Sequence, residues 1–396
     1  MKDKTAQSDS VTLKPLSETA VSLPLSGIRK FFDLASSMED VISLGVGEPD
    51  FQTPWVGRET AIYSIERGQT TYSANQGLIE LRQEIDRRYQ RLYNLSFDPR
   101  TEILVTVGAS QALDLACRAI LNPGDEVLLP EPCFVAYKPI VLLAGGKPVT
   151  IRTESARDFA FSIEDLKKAS SNKTKAILIG HPSNPTGASL SRELLEELVR
   201  FANERGLYII SDEIYDRLSY DGDHTCVAGL DGARDRTVVV NGFSKTYAMT
   251  GWRLGYALAP RVIIEVMTRI HSHTMMCAPT PSQRAAVAIL KSGDQSVNDM
   301  VMQYKQRRNL IVDGLNKLGL TCRLPAGAFY AFPSIRSTGL SSEDFARELL
   351  LREGVALVPG GVFGECGEGH VRCSYATSTR NIEEALLRIG KFLSSL

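Results

Sequence analysis

The chain has no C-x-x-C pair, no tight cysteine-histidine cluster and an odd number of cysteines, seven. That argues against a disulfide framework and against a structural zinc site, so no metal is expected. No run of ~18 consecutive apolar residues occurs, which leaves no candidate transmembrane helix. The opening MKDKTAQSDSVTLKP has no apolar core of a secretory signal, and a cytoplasmic location is the expectation. Charge of one sign is not in excess either. With 45 basic and 46 acidic residues there is no broad field to attract nucleic acid or an anionic membrane, and small-molecule chemistry is the better expectation. No strand-like run leads into G-x-G-x-x-G, so a nicotinamide-binding Rossmann site is disfavoured. Internal repeats and low-complexity tracts are also missing.

What is present is a chain of 396 residues with 43% hydrophobic content, enough for about two domains. Between about residues 100 and 260, short apolar runs alternate with helix-period segments, the pattern of an α/β domain on a mainly parallel sheet. Strands are expected at 103–107, 127–129, 176–179 and 207–210. Gly108-Ala109-Ser110 reads as a turn before a helix over 111–121. Ser191 caps a second helix, which runs to Gly206. Beyond about residue 285 the texture changes to a long charged helix over 297–318. Shorter strands follow near 328–332, 356–358 and 371–375, with helices over 342–353 and 381–393, a smaller α+β domain. Open parallel sheets bind ligands beyond the carboxyl ends of their strands, and Gly108, Asn184, Asp212 and Lys245 all fall there.

The run GFSKTYAMTGWRLG (242–255) carries the most chemistry. Lys245 offers an amine able to condense with an aldehyde, and Arg253, eight residues on, offers a cation suited to a phosphate. The strand-turn-helix at Gly108-Ala109-Ser110 presents free backbone N–H groups and a positive helix end, a second anion site. Asp212, in SDEIYDRLSYDG, ends an apolar strand, with Tyr215 three residues later. Asn184 sits in the turn Asn-Pro-Thr-Gly. Taken singly, Asp212 reads equally as a cap or an ion-pair partner, and Asn184 as a turn residue.

Together and in this order, these motifs resemble the class I and II aminotransferases, pyridoxal-phosphate enzymes of fold type I. The resemblance runs from about Gly27 to the C-terminus. It implies a large cofactor-binding domain over 49–285, with a small domain formed by 286–396 and completed by an N-terminal arm over 1–48. Lys245 is then the Schiff-base lysine and proton carrier. Gly108, Ala109, Ser110, Ser244 and Arg253 hold the phosphate, and Phe134 stacks on the ring. Asp212 pairs with the ring nitrogen, while Tyr215 and Asn184 meet its phenolic oxygen. Opposite charges ~4 Å apart at an effective dielectric of 20 gain about 4 kcal/mol, or roughly three pK units, enough to keep that nitrogen protonated. Arg372, in GEGHVRCSYA, and Gly47 hold the substrate carboxylate together with Asn184. Tyr72 reaches the phosphate of a neighbouring subunit, which implies a homodimer with shared active sites.

The expected activity is transfer of an amino group between an L-α-amino acid and a 2-oxo acid, 2-oxoglutarate or pyruvate, by ping-pong kinetics. Neutralisation of Lys245 is attributed to its cationic neighbours, Arg253 among them. Ser110 stands where some aspartate-preferring relatives carry a lysine, so aspartate preference is in doubt. The GASQA form resembles enzymes for aromatic, branched or acylated diaminopimelate substrates. A β-carbon-sulfur lyase on the same fold is the alternative, and a non-catalytic pyridoxal-binding regulator a more remote one.

Overall fold

The alternating apolar runs assemble a seven-stranded sheet. The computed structural model describes residues 14–23 and 38–396, so 1–13 and 24–37 of the expected N-terminal arm lie outside the described residues. A short strand, β1 (Ile42–Ser43), precedes the sheet. The sheet strands are β2 (Ile103–Thr106), β3 (Glu126–Glu131), β4 (Lys147–Arg152), β5 (Thr174–Gly180), β6 (Tyr208–Asp212), β7 (Thr237–Gly242) and β8 (Gly255–Leu258). Their order is β2-β8-β7-β6-β5-β3-β4, and every pairing is parallel except the two made by β8. β2, β7 and β8 are buried along their whole length, as expected of strands covered on both faces.

The period of two sets the two faces. Val238 and Val240 pack toward the helices Ala109–Ile120 and Arg261–Thr274, whereas Val239 faces a core shared with the C-terminal part. On that opposite side Ile177, Ile179 and Ile209 meet Leu195, Leu198 and Phe201 of the helix Arg192–Arg205. Ser191 caps this helix by accepting from Leu194 N–H, and Gly206 ends it in the left-handed conformation.

The helix after β2 begins at Ala109, earlier than the sequence suggested, because Gly108 makes the whole turn by itself at φ 80°. The single strand expected over 356–358 is two, β10 (Val355–Ala356) and β11 (Val358–Pro359). Leu357 separates them, and they pair differently. β10 lies parallel to β1, while β11 joins β12 (Val371–Ser374), which also pairs antiparallel with β9 (Tyr330–Ala331). The long helix Asp294–Lys317 contributes Tyr304, Ile311 and Leu315 to the core that joins this region to the sheet.

Because β8 alone is reversed, its first residues lie at the same sheet edge as the carboxyl ends of its neighbours. That edge collects Gly108 after β2, Asn184 after β5, Asp212 ending β6, Lys245 after β7 and Arg253 before β8.

Candidate active site

Lys245 leaves the buried strand β7 through Phe243 and Ser244, both buried, and its Nζ donates to Gly47 O at 2.6 Å. Its pKa is pushed down to about 8. Burial is the largest cause; Arg372 and Arg253 add to it, while Glu48 and Asp212 oppose it. Arg253 thus lowers it, as the sequence led one to expect, but behind desolvation, which the sequence did not reveal.

Asp212 is buried at the end of β6. Its Oδ2 accepts from the Tyr137 hydroxyl at 2.8 Å and its Oδ1 from Ile214 N–H at 3.3 Å. Burial raises its pKa to about 6 against the pull of these two bonds. Gly180 is the register partner of Asp212, and a Cβ there would lie 2.4 Å from the Tyr137 oxygen. The absence of a side chain at Gly180 therefore makes the bond possible. Sequence reasoning missed Tyr137; the available signal was its place three residues beyond Phe134, with which it makes an edge-to-face contact at 5.6 Å.

Tyr215 is buried and shares a 2.9 Å hydrogen bond between hydroxyls with Tyr330, a second residue the sequence did not single out. Tyr330 also underlies Arg372, whose guanidinium carbon stands 4.5 Å from the ring centroid. Arg372 is only 3% exposed, not a surface arginine. Its Nη1 donates to Asn184 Oδ1 at 2.9 Å and its Nη2 to Gly45 O at 2.6 Å, while its buried Nε has no partner. The fork is thus held from two sides, with donors to spare.

At the other end, Gly108 caps the helix Ala109–Ile120 with no side-chain bond, which leaves first-turn N–H groups available. Arg253 adopts φ 52° and its Nη1 donates to Thr250 O at 2.9 Å. A Cβ on Gly108 would sit 2.6 Å from Arg253 Nη2, and one on Gly255 2.4 Å from Ala109 N. Two glycines therefore let the arginine and the helix start converge.

A cavity of about 350 Å³ joins these groups, within the range of small-molecule sites. Every residue expected at the site borders it except Gly108, which lies behind Arg253, and Tyr72, which is 78% exposed elsewhere on the surface. With Tyr137 and Tyr330, the residues Val46, Glu48, Leu113, Pro182, Ile214 and Thr250 complete the wall without having been anticipated. Its chemistry fits pyridoxal phosphate: a neutralisable amine for the aldehyde, a buried carboxylate for a cationic ring nitrogen, and a helix start with an arginine for the phosphate. The fold also gathers His181, Glu213 and His224, which the sequence did not bring together.

The family model of aminotransferase class I and II matches residues 39–389. A putative aminotransferase of Bacillus subtilis, YugH, is 55% identical over 96% of this chain and 98% of its own length. An aspartate aminotransferase of Pyrococcus abyssi is 47% identical over 93% of this chain and 95% of its own. The crystal structure of an aromatic aminotransferase from Pyrococcus horikoshii superimposes with a TM-score of 0.88 at 45% identity, covering 93% of this chain and 99% of that one.

Proposed function

The chain belongs to the class I and II aminotransferases, pyridoxal-phosphate-dependent enzymes that act on small molecules, and we propose that it moves the amino group of an L-α-amino acid with a neutral side chain to 2-oxoglutarate or pyruvate in ping-pong order. One observation carries this reading: a lysine with a pKa near 8 shares a single cavity with a buried aspartate and two arginines. When bound, the cofactor supplies an aldehyde that takes up the amino nitrogen and a protonated ring that withdraws electrons from the substrate's α-carbon.

The protein's own residues do the rest. Lys245 would anchor the aldehyde and would carry the proton at Nζ; a pKa of about 8 leaves it partly neutral near physiological pH. Asp212 holds the ring nitrogen, Tyr215 and Asn184 hold the phenolic oxygen, and Phe134 covers the ring face. Ser244, Arg253 and the N–H groups after Gly108 hold the phosphate. Arg372, fixed by Asn184 and Gly45, takes the substrate carboxylate, with Gly47 beside it.

Among the described residues, the cations bordering the cavity are Lys245, Arg253 and Arg372. Each has a role in this scheme, and Ser110 adds no charge, so a side-chain carboxylate on the donor meets no further cation there. This supports aromatic or branched donors over aspartate. Tyr72, exposed and outside its own cavity, suits a homodimer in which it reaches the partner's phosphate. No helix among the described residues is long and apolar enough to cross a membrane.

The names of the relatives favour amino-group transfer over the carbon-sulfur lyase. Half-reactions of the holoenzyme with a panel of amino acids, followed by the cofactor's absorbance and then by addition of 2-oxoglutarate or pyruvate, test the proposal. Aromatic or branched donors should react fastest. Aspartate as the preferred donor would overturn the side-chain assignment, and pyruvate and ammonia released from cysteine conjugates without an oxo acid would overturn the reaction.

A further inference from the structure

Glu213 follows Asp212 at the end of β6 and is fully buried. Successive strand residues point to opposite faces, so Asp212 borders the cavity while Glu213 lies behind it. Glu213 Oε1 accepts from the Ser211 hydroxyl at 2.9 Å and from Val227 N–H at 3.0 Å, and its Oε2 lies 3.0 Å from His224 Nε2. The His224 ring stacks on His181 with centroids 4.6 Å apart and planes 27° apart. His181 opens the loop that carries Asn184, and its backbone N–H donates to Asp212 O at 3.1 Å. The carboxylate thus ties the Asp212 strand end to the 224–227 segment directly, and the Asn184 loop joins through the stack of His181 on His224.

We propose that Glu213 is a positioning residue for the reaction: clamped by His224 with His181 stacked upon it, it locks the Asn184 loop to the strand end and keeps a second negative charge behind Asp212. That charge strengthens the hold of Asp212 on a cationic ring, so the inference rests on the ring-nitrogen role proposed for Asp212. The groups facing Glu213 are His224, His181, the Ser211 hydroxyl and the Cys226 thiol. Those facing Asp212 are Tyr137, Lys245, Tyr215 and Glu213 itself. Burial pushes the Glu213 carboxyl up, but the His224 bond and charge, with His181 and Val227 N–H, bring it below the usual range, so it is anionic at neutral pH. Its charge in turn raises Asp212. Burial drives His181 down to about 3, which keeps its ring neutral within the stack.

One donor atom from each of His181, Glu213 and His224 lies within 4.8 Å of the others, a spacing that also admits a metal ion. Both ring nitrogens of His181 and Nδ1 of His224 lack partners. The positioning role is favoured because Glu213 Oε1 already has two partners, and because two imidazole planes tilted by only 27° and stacked on each other send their in-plane lone pairs side by side rather than to one point.

The test titrates the visible absorbance of the holoprotein across about pH 5 to 10, alongside its thermal unfolding and metal content. Glu213→Gln keeps the shape and removes the charge. Its absorbance midpoint should move on the order of one pH unit, in the same direction as that of Asp212→Asn and by less. Glu213→Asp should stay near the wild-type midpoint, and His181→Phe, which keeps a stacking ring, should not move it. Glu213→Met gives the same reading if the glutamine variant does not fold. A midpoint moved by Asp212→Asn but not by Glu213→Gln overturns this inference alone. A midpoint unmoved by Asp212→Asn overturns the Asp212 role beneath it. One equivalent of zinc or another transition metal per chain overturns it in favour of a metal site.

Discussion

The Tyr137 hydroxyl donates a 2.8 Å hydrogen bond to Asp212 Oδ2, across a gap that Gly180 leaves open. Burial pushes the Asp212 carboxyl up to about 6, and this bond is the strongest force pulling it back. Tyr137→Phe should therefore raise it further. Because a cationic ring needs the ionised carboxylate, the pH below which cofactor affinity falls should move up by on the order of one unit. Cofactor dissociation constants measured across pH check this, and an unchanged threshold would contradict it.

Arg372 is held by Asn184 and Gly45 and laid over Tyr330. A lysine reproduces the charge but neither the fork nor the planar contact. Arg372→Lys should raise KM for both amino acid and oxo acid roughly 10- to 100-fold, with cofactor loading unchanged. Steady-state kinetics on a holoprotein of verified cofactor content give the comparison.

Gly108 combines φ 80° with a direction in which a Cβ would strike Arg253. Gly108→Ala costs about 1 to 3 kcal/mol in the backbone, whose φ 80° and ψ 164° fall where only glycine fits readily, and displaces the arginine as well. Cofactor affinity should fall roughly tenfold or more, measured by fluorescence titration of the cofactor-free protein. Gly68→Ala, also at positive φ but with open space around it, should carry a backbone cost of its own and leave affinity alone.

Lys245 sets a pH dependence of stability. Its folded pKa of about 8 lies below the ordinary 10.5, so between those values the unfolded chain binds more protons than the folded one. Stability of the cofactor-free protein should therefore rise with pH across that window and be lost as pH falls back through 8, by about 3 kcal/mol. Asp212 has the opposite sign: its pKa is raised, so stability declines as pH rises between about 4 and 6. Urea unfolding at several pH values, with Lys245→Met and Asp212→Asn as controls, separates the two.

The residues that sequence reasoning found are those whose chemistry is tied to a local pattern. Lys245 and Arg253 lie within one short run, Gly108 between a strand and a helix, and Asp212 at the end of an apolar strand. Tyr137 and Tyr330 escaped because their roles depend on register: Tyr137 matters only where Gly180 lies opposite Asp212, and Tyr330 only where β9 and β12 place it beneath Arg372. The order of causes behind the Lys245 pKa was hidden for the same reason, since burial is a property of the whole fold. The Glu213, His181 and His224 cluster spans 44 residues of sequence and closes only when β5 and β6 pair.

In the proposed reaction Lys245 joins covalently to the cofactor's aldehyde. Borohydride reduction of the purified holoprotein, followed by proteolysis and mass mapping, tests it directly. One stable pyridoxyl-phosphate adduct per chain is expected, on the peptide containing Lys245, and none in Lys245→Ala. An adduct on another lysine, or a wild-type holoprotein left unmodified at Lys245, would contradict it.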